Sequence, residues 1–519
     1  MISRFIKQSL FAATVIVVGA SILTRVFGFA REAAVAGCFG TSASFDTFLL
    51  AFTIPELVTF VIFAALPMAL IPVVRKGQLD GTADTSSLFW NGLMLYGSLF
   101  AVFSLCVFFF RENLLLWLAP NLIGDQLALG KRLAAIVAWF VFFRGLEAYF
   151  RSWLFAGKHF VIPSVSPVLI NVVILCSLYF YYGELGIEAL ACGWLAGSVV
   201  SFVANGAFAL VVVKPFSHIN WRLAATGPLM KATVAVALLE SIALIYPVVD
   251  RSLAARFLGE GQIAALRYAT FLIHIPTGIF VVAYSHASFP WITDLSASPE
   301  RESFGNFYRR SVRFLIFVMG LIAVAVLIFP TDIVRLAFQR GAFDQESLHL
   351  TAGPLRYYAT GVVFYSVYMF QMRFYYARTA WLRLGMILAG MLLIKLVCSL
   401  LLVGPMQQNG LALATAVTWL AGLVVMTLDL RRQVRTSAGD LFRPAALRIL
   451  PGLIIVALFW VVAARFWPGE QSTSFLALLV RLALIGVAGT ALYVGLAHWL
   501  KLPELKEMFD RLRNAMIRN

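Results

Sequence analysis

A chain of 519 residues that is 61% hydrophobic and only 13% charged, with a mean hydropathy of +0.88, is far more apolar than a soluble globular protein, whose apolar share is roughly 45–50%. It is an integral membrane protein, long enough for many spans of about 20 residues each in one polytopic domain. The net charge of +16 raises nucleic acid as a partner, but the basic residues fall between the apolar runs, where membrane orientation accounts for them, so no nucleic acid is expected.

In chain order, about fourteen runs meet the length criterion for a transmembrane helix. They cover 9–36, 45–74, 87–110, 128–155, 161–182, 187–213, 226–257, 262–293, 308–330, 350–377, 380–403, 409–430, 445–467 and 474–499. The first begins like a signal peptide, MISRFIKQSLFAATVIVVGASIL, but meets arginines before any convincing cleavage site and reads as a retained helix. It continues into TRVFGFAREAAVAGCFG, carrying Arg25, Arg31 and Glu32. An ionised side chain near the bilayer centre costs on the order of 3 kcal/mol or more unless it faces protein or water. The second run, with Pro55, Pro67 and Pro72, is expected to bend.

On the fourth run Arg144, Glu147 and Arg151 are spaced for one ladder along a helix face, near the cytoplasmic end, where structural or head-group contacts are expected. The seventh carries Glu240 and Asp250. The eighth carries Arg267. Lys395, in LLIKLVCSLLL of the eleventh, faces the largest desolvation penalty and is expected to have a carboxylate partner, Glu240 by depth or else Asp250.

Lys and Arg alternate between connections as the positive-inside rule requires. Arg4 and Lys7, Arg75 and Lys76, Arg151 and Lys158, Lys214 and Arg222, Arg301 with Arg309, Arg310 and Arg313, Arg378 and Arg383, Arg431, Arg432 and Arg435, and the tail from Lys501 to Arg518 mark one side. Both termini are therefore expected in the cytoplasm. Cys38, Cys106, Cys176, Cys192 and Cys398 form no CxxC pair and the histidines no HExxH, so neither a metal site nor a disulfide framework is expected. GEGQIAALRYA lacks the ending of a phosphate-binding loop, and no catalytic motif stands in a persuasive context. No cofactor is expected, and a transporter is the default. A weak internal symmetry relates the first and second helices to the seventh and eighth, which suggests two bundles with a site between them.

SILTRVFGFAREAAVAGCFGTSASFDTFLLAFTIPEL resembles the N-terminal signature of the MurJ/MviN lipid II flippases, within the multidrug/oligosaccharidyl-lipid/polysaccharide exporter superfamily. DRSLAARFLGEGQIAALRYA, IPTGIF and NGLALATAV resemble three further blocks. The resemblance implies fourteen helices in two lobes around a central cavity built by the first, second, seventh and eighth helices. The division is 1–222, 223–440, and 441–519 for two additional helices and a basic tail. It also implies alternating access and an undecaprenyl-diphosphate-linked sugar as substrate, moved to the periplasmic face of the bacterial inner membrane. No bond is broken, so no enzyme activity is expected. Membrane lipids and cell-envelope synthesis proteins are the expected partners of a monomer.

Arg25 and Arg31 match the family's cavity arginines and are assigned to the diphosphate, whose oxygens suit the planar guanidinium fork. Asp46 matches its acidic residue and is assigned to pairing or gating. Glu32, seven residues after Arg25 and on its face, is assigned to a charge network. Two departures stand out: Thr59 and Phe271 occupy positions where the family carries arginines. Arg267, one turn before Phe271, is the candidate replacement. Part of the family is thought to hold Na⁺ in the C-terminal lobe, and the ammonium of Lys395 is expected to take that place. Lipid II is the first expected substrate. The alternatives are exopolysaccharide or O-antigen repeat units, a cation-coupled multidrug exporter, whose cationic drugs the arginines would repel, and a scaffold that transports nothing.

Overall fold

A computed structural model describes residues 10–80, 85–213, 227–297, 301–431, 439, 445–467 and 474–502, and no strand occurs among them. The helices are α1 (Leu10–Phe39), α2 (Ala43–Asp80), α3 (Thr85–Phe109), α4 (Arg111–Leu118), α5 (Gly124–Ala156), α6 (Val161–Leu185), α7 (Ile187–Val213), α8 (Gly227–Leu244), α9 (Tyr246–Phe257), α10 (Gln262–Pro276), α11 (Ala283–Ala297), α12 (Arg301–Ile328), α13 (Pro330–Phe338), α14 (Gln345–Ala377), α15 (Trp381–Leu430), α16 (Leu450–Phe466) and α17 (Phe475–Trp499). π-helical turns at Thr277–Val282 and Ala445–Ile449 join α10 to α11 and lead into α16.

Every predicted apolar run falls on helix, and the fold is an all-α polytopic bundle. Among the described residues ten helices are long and apolar enough to cross a membrane. α15 is one of them, yet it contains two predicted spans, because Gln407 at φ 52° and ψ −136° breaks the helix between them. α1 and α14 are comparably long, but α1 carries Arg25, Arg31 and Glu32 in its second half and α14 carries Glu346, Arg356 and Arg373 along its length. The seventh run divides into α8 and α9, with Pro247 in the first turn of α9; proline has no N–H to continue the preceding helix. α4 and α13, of 8 and 9 residues, are too short for an apolar-run criterion and were not anticipated. Both termini, the basic clusters at 214–222 and 432–435 and most of the tail lie outside the described residues.

The chain divides into two compact units, residues 1–264 with 340–343, and 265–339 with 344–519. The expected boundaries at 222 and 440 both fall outside the described residues. In the first unit α5 is the hub: 67% of its apolar window is buried, against 28–39% for α2, α3, α6 and α7. α2, α3 and α7 pack on α5, while α1 packs on α6 and α8 on α2. The core is aromatic, with Phe89, Tyr96, Phe100, Tyr149, Phe150 and Trp153 buried together. Its tyrosine hydroxyls are satisfied, as burial favours: Tyr149 donates to the Phe89 carbonyl at 2.6 Å and Tyr96 bonds Thr233 at 2.7 Å, whereas the Trp153 indole N–H finds no hydrogen-bond partner among the described residues.

In the second unit α14 packs on α12 and α15. α16 and α17 close a further core against α12 around Phe317, Trp460 and Tyr493. The Trp460 indole donates to the Ile485 carbonyl at 2.9 Å. Arg481 of α17 reaches Asp332 of α13 at 3.2 Å.

Candidate functional site

The arginine stretch of α1 is anchored to α6 and α7. Arg31 donates through Nη2 to Glu32 Oε1 at 2.6 Å and through Nη1 to Asn171 Oδ1 at 2.8 Å. Its guanidinium lies over the Trp194 ring, 4.7 Å from the centroid. Adjacent helical residues do not face each other, but the long arginine stem bridges the gap. Glu32 thus forms an ion pair with Arg31. Arg25 is exposed on α1, next to Thr24, whose carbonyl accepts from Asn171 at 3.5 Å. Asn171 and Trp194 escaped the sequence reading; a lone amide in PVLINVVIL was the available signal, since a buried amide needs partners.

Asp46 is buried, and its carboxylate meets backbone amides: Oδ2 accepts from Gly261 N and Oδ1 from Ala264 N, both at 2.7 Å. These are orphan donors at the start of α10, and a carboxylate there also meets the positive end of the helix dipole. Asp46 therefore ties the head of α2 to the head of α10. The approach is close: a Cβ on Gly261, at φ 81°, would sit 2.4 Å from the Thr41 carbonyl oxygen. Only glycine fits that turn.

Asp250 is buried in α9, and its neighbour Arg251 is the cation that sequence reasoning missed. Arg251 pairs with Glu56 of α2 at 2.7 Å and donates to Thr53 Oγ1 at 3.1 Å and the Leu49 carbonyl at 3.3 Å. A buried arginine needs a carboxylate, so Glu56 in the helical TIPELV stretch was the partner to look for. The side chain of Glu240 lies outside the described residues.

The ladder on α5 forms as spaced. Arg144 bonds Glu147, which is fully buried, Arg151 Nη1 lies 3.9 Å from the same carboxylate, and Ser166 of α6 donates to it at 3.1 Å.

In the second unit Arg267 is half-buried on α10. Near it Phe338 receives the Tyr268 ring at 5.0 Å and the Phe271 ring at 6.5 Å. Lys395 is fully buried and donates to Thr415 Oγ1 at 2.6 Å and to the Leu411 carbonyl at 3.0 Å, both past the kink of α15. Among the described residues no three His, Cys, Asp or Glu side chains converge to suit a metal.

A family model described as lipid II flippase MurJ matches residues 35–482. A probable lipid II flippase MurJ of Rhizobium tropici is 27% identical over 508 residues, covering 94% of this chain and 93% of the relative. The lipid II flippase MurJ of Burkholderia cenocepacia is 24% identical over 512 residues, covering 94% and 97%. Among solved structures, a lipid II flippase MurJ in an inward closed conformation aligns with a TM-score of 0.77 at 21% identity, over 92% of this chain and 98% of that one. An inward-facing multidrug resistance MATE family transporter aligns at 0.67 and 12%, over 82% and 99%. At such identities the structural matches establish the shared fold, while the sequence match over most of the length establishes kinship: the chain belongs to the lipid II flippase MurJ family.

Proposed function

We propose that this protein is a flippase that carries an undecaprenyl-diphosphate-linked saccharide, lipid II first of all, from the cytoplasmic to the periplasmic leaflet of the bacterial inner membrane for peptidoglycan synthesis. Family membership supports the class, and Arg31 carries the chemistry. Two of its η nitrogens are held by Glu32 and Asn171 and its face by Trp194, so the guanidinium is oriented in advance and the rest of its fork is uncommitted among the described residues. A fixed, permanently charged fork suits phosphate oxygens and loses little freedom on binding. Arg25, on the same helix, supplies a second cation to the diphosphate, and Arg267 stands in for the arginine replaced at Phe271. The saccharide crosses by alternating access, with both termini in the cytoplasm. Asp46 and the Arg251–Glu56 pair hold the heads of α2, α9 and α10 together when the periplasmic side is shut. No bond of the substrate is made or broken.

Thr59 and Phe271 favour a second reading, in which the same polyprenyl carrier bears an exopolysaccharide or O-antigen repeat unit. Depletion in the native cell separates the two, since accumulation of lipid II on the inner leaflet supports the first and accumulation of another polyprenyl-linked glycan the second. Arg31→Ala is expected to abolish rescue of depleted cells at unchanged protein level, with Arg31→Lys only partly active for lack of the bidentate fork. Full rescue by Arg31→Ala overturns the diphosphate role.

A further inference from the structure

The ladder on α5 contains more positive charge than its surroundings neutralise. Arg144 and Arg151 share the single carboxylate of Glu147, which also accepts from Ser166, so the cluster keeps one net positive charge. The two guanidiniums both lie over the Phe63 ring of α2, at 4.1 and 5.1 Å, with Arg151 also 5.7 Å from the Phe155 centroid. Arg151 makes no hydrogen bond to any described residue, and its one ionic contact, at 3.9 Å, exceeds hydrogen-bond distance. Among the described residues Arg144 Nε is buried without a hydrogen-bond partner, as is the Thr59 hydroxyl one turn before Phe63 on the same face of α2. Buried guanidinium donors left unbonded are costly. Yet both side chains keep some exposure, 14% for Arg144 and 18% for Arg151, so a ligand can reach them.

We infer that Arg144 and Arg151, held over Phe63, form an anion site for the phosphate of a membrane lipid. The ring faces fix the planar guanidiniums without using their N–H edges, which leaves those edges for phosphate oxygens. One lipid phosphate neutralises the residual charge and satisfies donors that the protein leaves open. The site lies toward the α5 end that leads into Lys158 and His159. The occupant is the diphosphate of the polyprenyl-linked substrate, met on entry before Arg31, an identification that rests on the flippase reading above.

The test is binding of farnesyl diphosphate to the purified full-length protein, followed by native mass spectrometry, with dioleoylphosphatidylglycerol as the competing phosphate source. Arg151→Gln is expected to weaken farnesyl diphosphate binding about tenfold or more, the loss of a charge-assisted hydrogen bond, with Arg151→Lys intermediate. Glu147→Gln removes the competing carboxylate and is expected to tighten binding, a gain that misfolding cannot mimic. Unchanged affinity for both farnesyl diphosphate and phosphatidylglycerol in Arg151→Gln and in Glu147→Gln overturns the site. Loss of phosphatidylglycerol binding in Arg151→Gln with farnesyl diphosphate unaffected supports the phosphate site and overturns its assignment to the substrate. Transport of fluorescent lipid II by the wild type is measured in parallel; its absence refutes lipid II as the cargo, whereas these binding shifts judge the site alone.

Discussion

The pair of Arg251 and Glu56 is a cation and an anion 195 positions apart, drawn together from two helices and largely withdrawn from water. Removing one member strands the other, which costs about 3 kcal/mol or somewhat more, whereas replacing both with apolar side chains of similar volume is close to neutral. Arg251→Met is therefore expected to lower the melting temperature in detergent clearly, and Arg251→Met with Glu56→Met to restore most of it; equal losses in both variants remove the pairing argument. His159, buried between α5 and α6 with its ring edge-on to Phe208 at 5.9 Å, offers a pH test. Burial pushes its pKa below the ordinary 6.5. On acidification through about 6.5 the unfolded chain takes up the proton that the folded chain resists, so stability falls there and is unaffected above. The wild type is expected to lose more melting temperature between pH 7.5 and 5.5 than His159→Gln, and parallel losses argue against the residue. At this scale the sequence was half legible. Spacing on one helix foretold the Arg144, Glu147 and Arg151 ladder, but no local rule connects Glu56 to Arg251 or Asp46 to the amides of Gly261 and Ala264, because those contacts exist only once distant helices have packed.

Elements were more legible than contacts, since a run of apolar residues is readable wherever it lies and lipid demands helix of it. Breaks and short helices were less so. The two hairpins α6–α7 and the halves of α15 turn on one residue of nearly the same conformation: Gly186 has φ 53° and ψ −125°, Gln407 has φ 52° and ψ −136°. This backbone region strongly favours glycine, and the second hairpin adopts it with a side chain that is exposed. Gln407→Gly is accordingly expected to stabilise by about 0.5–1 kcal/mol, relief of strain less the added freedom of glycine in the unfolded chain. Gly186→Gln is expected to destabilise by about 1–2 kcal/mol. Thermal melts of the two variants in one detergent check the pair, and a Gln407→Gly protein that melts lower contradicts the argument.

For the molecule as a machine, the energy source is the governing physical quantity. A flippase with an ammonium fixed among Leu411 and Thr415 is expected to run without Na⁺, because the charge a metal would bring is already covalently present. The membrane potential is then the expected drive, since one elementary charge moved through 100 mV is worth about 2.3 kcal/mol. Transport in proteoliposomes with choline replacing Na⁺ at constant potential is expected to be unchanged in the wild type, and Lys395→Asn to become Na⁺-dependent. Strong Na⁺ dependence of the wild type contradicts this. Lys395 was conspicuous in the sequence as an isolated charge in an apolar run; that a hydroxyl and a carbonyl of its own hairpin would receive it was not, as both come from the far side of a kink that the residue types do not announce.

The segment Arg340–Phe343 has one more consequence. It belongs with the first unit: the Ala342 amide bonds the Gly37 carbonyl at 2.8 Å, and a Cβ on Gly341, at φ 57°, would lie 2.2 Å from the Gly37 oxygen. The rest of that unit ends at Ala264, so the ribosome must add about 80 further residues before the end of α1 receives its cover, a delay of roughly 4–16 seconds at ordinary synthesis speeds. During that interval the nascent chain holds its first helices with one carbonyl at the tip of α1 still waiting for its amide. Assembly of the first unit is thus timed by translation of the second, and a stop codon placed just after Ala264 removes a stretch of later sequence that the first unit takes as its own.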